Sequence, residues 1–313
     1  MSSSDPNKST KSPKEKMKKI LSVLLIAMLC MATTRPVAEA MVDTSVFTSG
    51  PLKSSLFQPC EKQGTLETIS YSMDYGSKEI TKTCKVYLPY NYDPKGHYNV
   101  VLLIHGFYGS RDSFFTEPVI VKGIRMTGRD LYDNLFSKGR VAPTILVGMD
   151  TNYNGKDMPP EVLGQEIREH IIPEVVRRYA TWAKSPAIED IVAARDHFAV
   201  YGQSNGSLRV YDTCLVPNKD IFSSYACISG TAKEDERYIL NSVSDSDYPV
   251  KMLFMGAGSL ETHSRKTTEI FNETLEKTNA LQEGENAVCY VVDGAHDWAT
   301  WYAELYNFLT LID

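Results

Sequence analysis

The 313-residue chain lacks the short fingerprints that would tie it to a nucleotide cofactor. It holds no GxGxxG and no GxxxxGKS/T segment, so neither dinucleotide nor P-loop chemistry is expected. Cysteine is scarce, with six in all. None falls in a CxxC pair or in Cys/His metal spacing, which removes zinc ribbons and dithiol redox centres from consideration. Internal repeats and long low-complexity tracts are also missing. Positive charge is in deficit, with 33 Lys and Arg against 39 Asp and Glu. That balance argues against nucleic acid or an anionic membrane as a partner.

What is present begins with a leader. Lys14, Lys16, Lys18 and Lys19 form a basic patch, Ile20 to Ala32 is apolar, and Ala38-Glu39-Ala40 follows. That order is the pattern of a secretory signal peptide over residues 1–40. The apolar run is short for a bilayer core of roughly 30 Å. The alternative is an uncleaved membrane anchor. Met28-Leu29 before Cys30 is a poor fit to a lipidation site, and Met17 directly precedes the lysine pair as a possible start. Residues 1–40 carry seven of the basic and three of the acidic residues, so the remainder has a net charge of −10. Such a surface suits a neutral or sugar substrate, and no stable membrane partner is expected after cleavage. Export also permits disulfides. Cys60 with Cys84 is the conceivable pair, since both flank the first strands, while Cys214, Cys227 and Cys289 read as buried thiols.

Residues 41–63 form a lead-in with little periodicity, and one domain spans 64–313. Leu66–Met73 and Glu79–Leu88 read as strands around a turn at Asp74-Tyr75-Gly76-Ser77. Asn99–Ile104 is a continuous apolar strand, as expected at the centre of a sheet. Helices and strands then alternate. Helices are expected at Gly128–Lys138, Glu161–Tyr179, Asn205–Cys214 and Thr262–Asn279. Strands are expected at Thr144–Met149, His197–Tyr201, Phe222–Ile228, Val250–Met255 and Ala287–Val292. Trp298, Trp301, Tyr302, Leu305 and Phe308 lay an apolar stripe along a last helix. This order predicts an α/β fold, a mostly parallel sheet with helices on both faces and antiparallel strands at its N-terminal edge.

One segment in this frame carries chemistry. Gly202-Gln203-Ser204-Asn205-Gly206 matches GxSxG between a strand and a helix, the setting of the nucleophile elbow of the α/β-hydrolase fold. Ser204 is therefore the expected nucleophile, and it needs a base. Of six histidines only His263 and His296 follow it, in a fold whose chain order is Ser, acid, His. His296 stands between the last strand and the last helix, at the sheet edge that faces the elbow. His263 falls in a helix and reads as a surface residue. Glu261 is the first carboxylate past the strand at Val250–Met255 and is the expected acid, with Asp293 still open. Asp245 and Asp247 precede that strand, on the wrong side. The Asn205 N–H and the Phe107 N–H, in Ile104-His105-Gly106-Phe107, are the expected oxyanion donors. His105 then braces that loop. Tyr108 and Trp298 are candidate substrate contacts, although Trp298 equally suits helix core. Asn152 to Gly155 reads as a possible pocket rim.

Longer segments resemble a known family. Val86-Tyr-Leu-Pro-Tyr-Asn-Tyr-Asp93, Leu102-Leu-Ile-His-Gly106, Gln165 to Pro173 and Gly294-Ala-His-Asp-Trp298 are similar to the esterase-D-like carbohydrate esterases of family 1. The likeness covers residues 64–311 and is greatest to the feruloyl and acetyl xylan esterase branch. It implies a Ser-His-acid mechanism through an acyl-enzyme, no metal or cofactor, and a feruloylated or acetylated plant xylan as substrate. Two positions depart from the family pattern: Asn205 stands where Met is usual, and Glu261 where Asp is usual. The polar Asn205 side chain is expected to alter the acyl pocket. Rival readings are an acyltransferase or a peptidase on the same fold, and a non-catalytic relative that binds carbohydrate. Production in a secreting host should yield a polypeptide starting at Met41. Intact mass and N-terminal sequencing check this, and a retained residue 1 would show an anchor instead.

Overall fold

The computed structural model describes residues 41–232, 234–243 and 247–312. The leader at 1–40 lies outside the described residues, as does Asp245. Eight strands form the main sheet: β1 (Thr65–Tyr75), β2 (Lys78–Leu88), β3 (Asn99–Ile104), β4 (Thr144–Met149), β5 (Phe198–Gln203), β6 (Ser224–Ile228), β7 (Met252–Gly258) and β8 (Ala287–Val292). Their spatial order is β1-β2-β4-β3-β5-β6-β7-β8. The β1–β2 hairpin and the β2–β4 pairing are antiparallel. From β4 onward the strands run parallel. This is the α/β-hydrolase arrangement expected from the element order.

Burial explains the order. Val100 to Ile104 and all of β4, β5 and β6 are buried, because helices cover both faces of these strands. In β1 only Ile69, Tyr71 and Met73 are buried, alternating with exposed residues, as an edge strand with one wet face requires. Alternate side chains point to opposite faces, so the core has two halves. Val100, Leu102, Ile104, Val147 and Val200 belong to one, Val101, Leu103, Leu146 and Tyr201 to the other. The first half is covered by α2 (Pro160–Glu166 continuing through Ile167–Ile171 and Ile172–Arg178), α4 (Asn205–Arg209 continuing through Val210–Leu215), α5 (Asp235–Val243) and α6 (Thr262–Leu275). The second is covered by α1 (Gly128–Ser137) and α7 (Trp298–Leu309). The short helix α3 (Ile188–Ala193) precedes β5.

Several expectations need correction. The long helix α2 is not uniform: Pro160–Glu166 is α-helical, Ile167–Ile171 is a π-turn, and Ile172–Arg178 is α-helical again. Pro173 has no N–H to donate and its ring crowds the preceding turn, so the wider turn falls where an ordinary one would be obstructed. β7 runs on through Gly256-Ala257-Gly258, where the loop was expected. Glycine disfavours a strand in general, but at 256 a Cβ would lie 2.7 Å from the Glu304 carboxylate, so the close approach requires it. The Cys60–Cys84 disulfide does not form. The Cys60 thiol donates to Lys62 O at 3.2 Å, and Cys84 is buried in the core beside the Tyr71 hydroxyl. Residues 41–63 make only two 3-10 turns, yet Leu52, Leu56 and Phe57 are buried against the core.

Glu304 lies wholly buried in α7, and burial pushes its carboxyl well above the usual range. The folded state thus holds a proton that the unfolded chain releases above about pH 4.3. Stability is lost as pH rises past that point. Glu304→Gln, which mimics the protonated acid, should match the wild type in Tm at pH 4 and exceed it by several degrees at pH 8. Thermal melts across that range check the widening gap, each kcal/mol being worth roughly 2–4 °C in a domain of this size.

Candidate active site

Ser204 sits on the turn from β5 into α4 with φ 55° and ψ −124°. That is a costly conformation for a residue with a side chain. Two glycines make it possible. A Cβ at Gly202 would lie 2.2 Å from Gly206 O, and one at Gly206 would lie 2.1 Å from Ile104 O. The turn is further held by Ser204 N–H donating to Ile228 O at 2.8 Å. The serine hydroxyl therefore stands above the carboxyl ends of β3, β5 and β6 at the start of a helix.

The structure brings Ser204, His296 and Glu261 together from three separate segments. His296 Nε2 is 3.0 Å from Ser204 Oγ. On its other side Nδ1 is 2.7 Å from Glu261 Oε2. Glu261 Oε1 accepts two further bonds, from Ser229 Oγ at 2.7 Å and from Gly258 N at 2.7 Å. Burial acts to raise the Glu261 carboxyl. The hydrogen bonds from His296, Ser229 and Gly258 outweigh that and hold it below its ordinary value. An ionised carboxylate fixed on Nδ1–H leaves Nε2 as the acceptor facing the serine. Asp293 does not compete, since its Oδ1 takes the Ser259 hydroxyl at 3.2 Å. Asp297 caps α7 through Ala299 N and Thr300 N. His263 does occupy the first turn of α6, but it is half-buried, with its ring 5.7 Å from that of His296.

The Phe107 loop meets the elbow from β3. A Cβ at Gly106 would lie 3.2 Å from Ser204 Cβ, so glycine lets the backbone pass close to the nucleophile. His105 is buried, and burial lowers its pKa, which keeps the ring neutral. Its Nδ1–H donates to Gly106 O at 2.7 Å, and its Nε2 accepts Thr151 N–H at 3.2 Å. Arg111 adds a second tether, with its N and Nη1 on the two Asp150 oxygens at 2.7 and 2.6 Å. Asp150 O in turn accepts Lys82 Nζ at 2.9 Å, and Lys82 is paired with the buried Glu166 at 2.8 Å. Asn205 N–H is among the first of its helix and has no partner within it. Among the described residues Phe107 N–H has no recorded partner either. Both N–H groups are thus available to an oxyanion at this turn.

A cavity of about 350 Å³ opens beside Ser204. Phe107, Tyr108, Trp298, Trp301, Gln203 and Glu117 are among the residues that line it. Trp298 serves in both capacities weighed for it, since it lines the cavity and packs on Phe114, Trp301 and Tyr302 with centroids 5.1–5.4 Å away. Tyr108 is 97% exposed at the mouth. The Asn205 side chain is not part of the cavity wall, contrary to expectation, and neither is the Asn152 to Gly155 segment. That segment is a two-residue-strand hairpin with Tyr153 packed on Tyr75. Sequence reasoning missed Ser229, Gly258, Gln203, Trp301 and Glu117. The Ser-Gly pair directly after β6 was the available signal for Ser229. Among the described residues no group of three or more His, Cys, Asp or Glu could hold a metal ion. No described helix is long and apolar enough to cross a membrane.

This geometry defines a class, a serine hydrolase on the α/β-hydrolase scaffold. The chain belongs to the Esterase family, whose model matches residues 78–311. Its likeness to carbohydrate esterases of family 1 extends to particular proteins. It is 31% identical over 180 residues to endo-1,4-beta-xylanase Y of Acetivibrio thermocellus, a match that covers 56% of this chain but only 16% of that protein. Its fold superposes on a mutant feruloyl esterase module from Clostridium thermocellum, complexed with sinapinate, with a TM-score of 0.74 and 23% identity. That alignment covers 84% of this chain and 93% of the module. A ferulic acid esterase from Anaeromyces mucronatus, in complex with ferulic acid, aligns with a TM-score of 0.59 and 19% identity over 84% and 96% of the two chains.

Gly206→Ala tests the steric basis of the elbow. Backbone at Ile104 or at Ser204 must move to admit the methyl group. Labelling by a fluorophosphonate probe should slow at least about a hundredfold, the scale expected when a reacting atom is misplaced by about 1 Å. An alanine variant that labels at the wild-type rate would show that the turn tolerates the Cβ.

Proposed function

We propose that the protein is a secreted feruloyl esterase that releases hydroxycinnamic acid from ester-decorated plant xylan through an acyl-enzyme on Ser204. The observation that carries the mechanism is the unbroken hydrogen-bond line Glu261–His296–Ser204 in the wall of an aromatic cavity. Ser204 Oγ attacks the ester carbonyl while His296 Nε2 takes its proton. Glu261 fixes the tautomer and stabilises the imidazolium. The Phe107 and Asn205 N–H groups bind the oxyanion at the moment charge develops there. His296 then protonates the leaving sugar oxygen. Water repeats the attack on the acyl-enzyme, and the acid departs.

Substrate class rests on three supports. The cavity presents Phe107, Tyr108, Trp298 and Trp301, whose faces and edges suit a flat aryl acyl group or a sugar ring. The similar solved esterases hold sinapinate and ferulic acid, and the similar sequence is part of a xylanase. The leader over residues 1–40 favours an extracellular polymer or its fragments as the target. An acetyl ester is the second reading, since a smaller acyl group also fits the same line of catalytic groups.

Wild type and Ser204→Ala should be assayed with methyl ferulate, acetylated xylan, a peptide amide and 4-nitrophenyl acetate. Wild type should turn over methyl ferulate most efficiently, and the alanine variant should lose at least about 10⁴-fold in kcat, as expected for removal of the nucleophile. Equal activity of the two proteins would exclude Ser204 as the nucleophile, and no activity in either would leave only a binding role. Preference for the amide would favour a peptidase, and acyl transfer to added alcohol in place of hydrolysis would favour a transferase.

A further inference from the structure

The cavity beside Ser204 has one anionic wall residue that the mechanism does not use. Glu117 lies on the segment between the Phe107 loop and α1, and it lines the same cavity as Ser204, Trp298 and Trp301. Its carboxylate is exposed yet held in place. Ser110 Oγ donates to Oε1 at 2.7 Å, and Ser113 Oγ donates to Oε2. Both hydroxyls are themselves oriented by backbone donors. Ser110 Oγ accepts Asp112 N–H at 3.1 Å, and Ser113 Oγ accepts Ser110 N–H at 2.9 Å. Each hydroxyl proton is thereby committed to Glu117, and each carboxylate oxygen keeps lone-pair capacity for another donor.

Lys122 and Arg111 are the basic residues nearest in sequence, and Arg111 is bound to Asp150 at 2.6 Å and lies 3.7 Å from Asp112. Among the described residues Glu117 takes part in no ion pair. An oriented, unneutralised acceptor in an otherwise aromatic wall fits a ligand that is flat and apolar along its length and carries a hydrogen-bond donor. It repels an anion.

We propose that Glu117 determines acyl specificity by accepting a hydrogen bond from the phenolic hydroxyl of a hydroxycinnamoyl group. The proposal rests on the feruloyl esterase reading above and deepens it. Glu117 separates acyl groups that end in a donor from those of the same shape that do not. The side chain touches no reacting atom, so its effect falls on the choice between substrates. A hydrogen bond to a charged acceptor at an exposed cavity wall is expected to give roughly tenfold discrimination.

The test is the ratio of kcat/KM for methyl 4-hydroxycinnamate to that for methyl 4-fluorocinnamate, which has nearly the same outline and no donor. A ratio cancels any loss of folded enzyme in a variant. Wild type should favour the hydroxy ester by about tenfold. Glu117→Leu should bring the ratio to within about twofold of unity. Glu117→Gln, which keeps an uncharged acceptor, should fall between the two and serves if the leucine variant does not fold. A wild-type ratio near unity, or a ratio unmoved in the variants, overturns the proposal while leaving the esterase reading intact. If the wild type hydrolyses 4-nitrophenyl acetate but neither cinnamate, the feruloyl reading itself fails, and the role of Glu117 falls with it.

Discussion

The strained turn at Ser204 is the constraint on which the rest of the site depends. A non-glycine residue at φ 55° persists only where its surroundings leave no alternative. Here the surroundings are three neighbouring strands. β3 closes against Gly206 on one side, β6 accepts the Ser204 N–H on the other, and β5 delivers the chain. A shift in any of these strands would relieve the strain and lower the hydroxyl out of reach of His296. The wholly buried central strands are thus as much a part of the active site as the serine they support.

The acid arm repeats the same logic on a smaller scale. Ser229 also has φ 55°, directly after β6, and its hydroxyl reaches Glu261. The side chain of Glu261 is longer than the aspartate usual in the resembling family. The extra methylene is accommodated because the carboxylate is met from three directions, by His296, Ser229 and Gly258. Those donors offset a burial that would otherwise favour the neutral acid.

Much of this was legible from residues alone, for identifiable reasons. Chain order and strand ends single out Ser204, His296 and Glu261, because a parallel sheet places every strand-to-helix loop on one edge. The Phe107 loop followed from the same rule. Features that depend on packing were not legible. Glycines at 256 and 258 look like a loop until Glu304 and the Gly294 carbonyl are seen pressed against them. Cys60 and Cys84 seem near in sequence pattern, yet one is at the surface and the other faces the core beneath Tyr71. Glu117 carried no motif at all. Its place in the wall depends on two serines of its own loop.

The strand order has a consequence for how activity is acquired. Ser204 follows the fifth strand, Ser229 the sixth, Glu261 the seventh and His296 the eighth, while the Phe107 loop follows the third. Every one of these groups is brought to the others by pairing between segments distant in sequence, the kind of contact that forms slowly because long loops must close first. No assembly of the sheet that lacks β8 holds a nucleophile, a base and an oxyanion site at once. During biosynthesis the chain therefore remains chemically silent until its C-terminal segment has docked, and turnover reports completion of the fold rather than its onset.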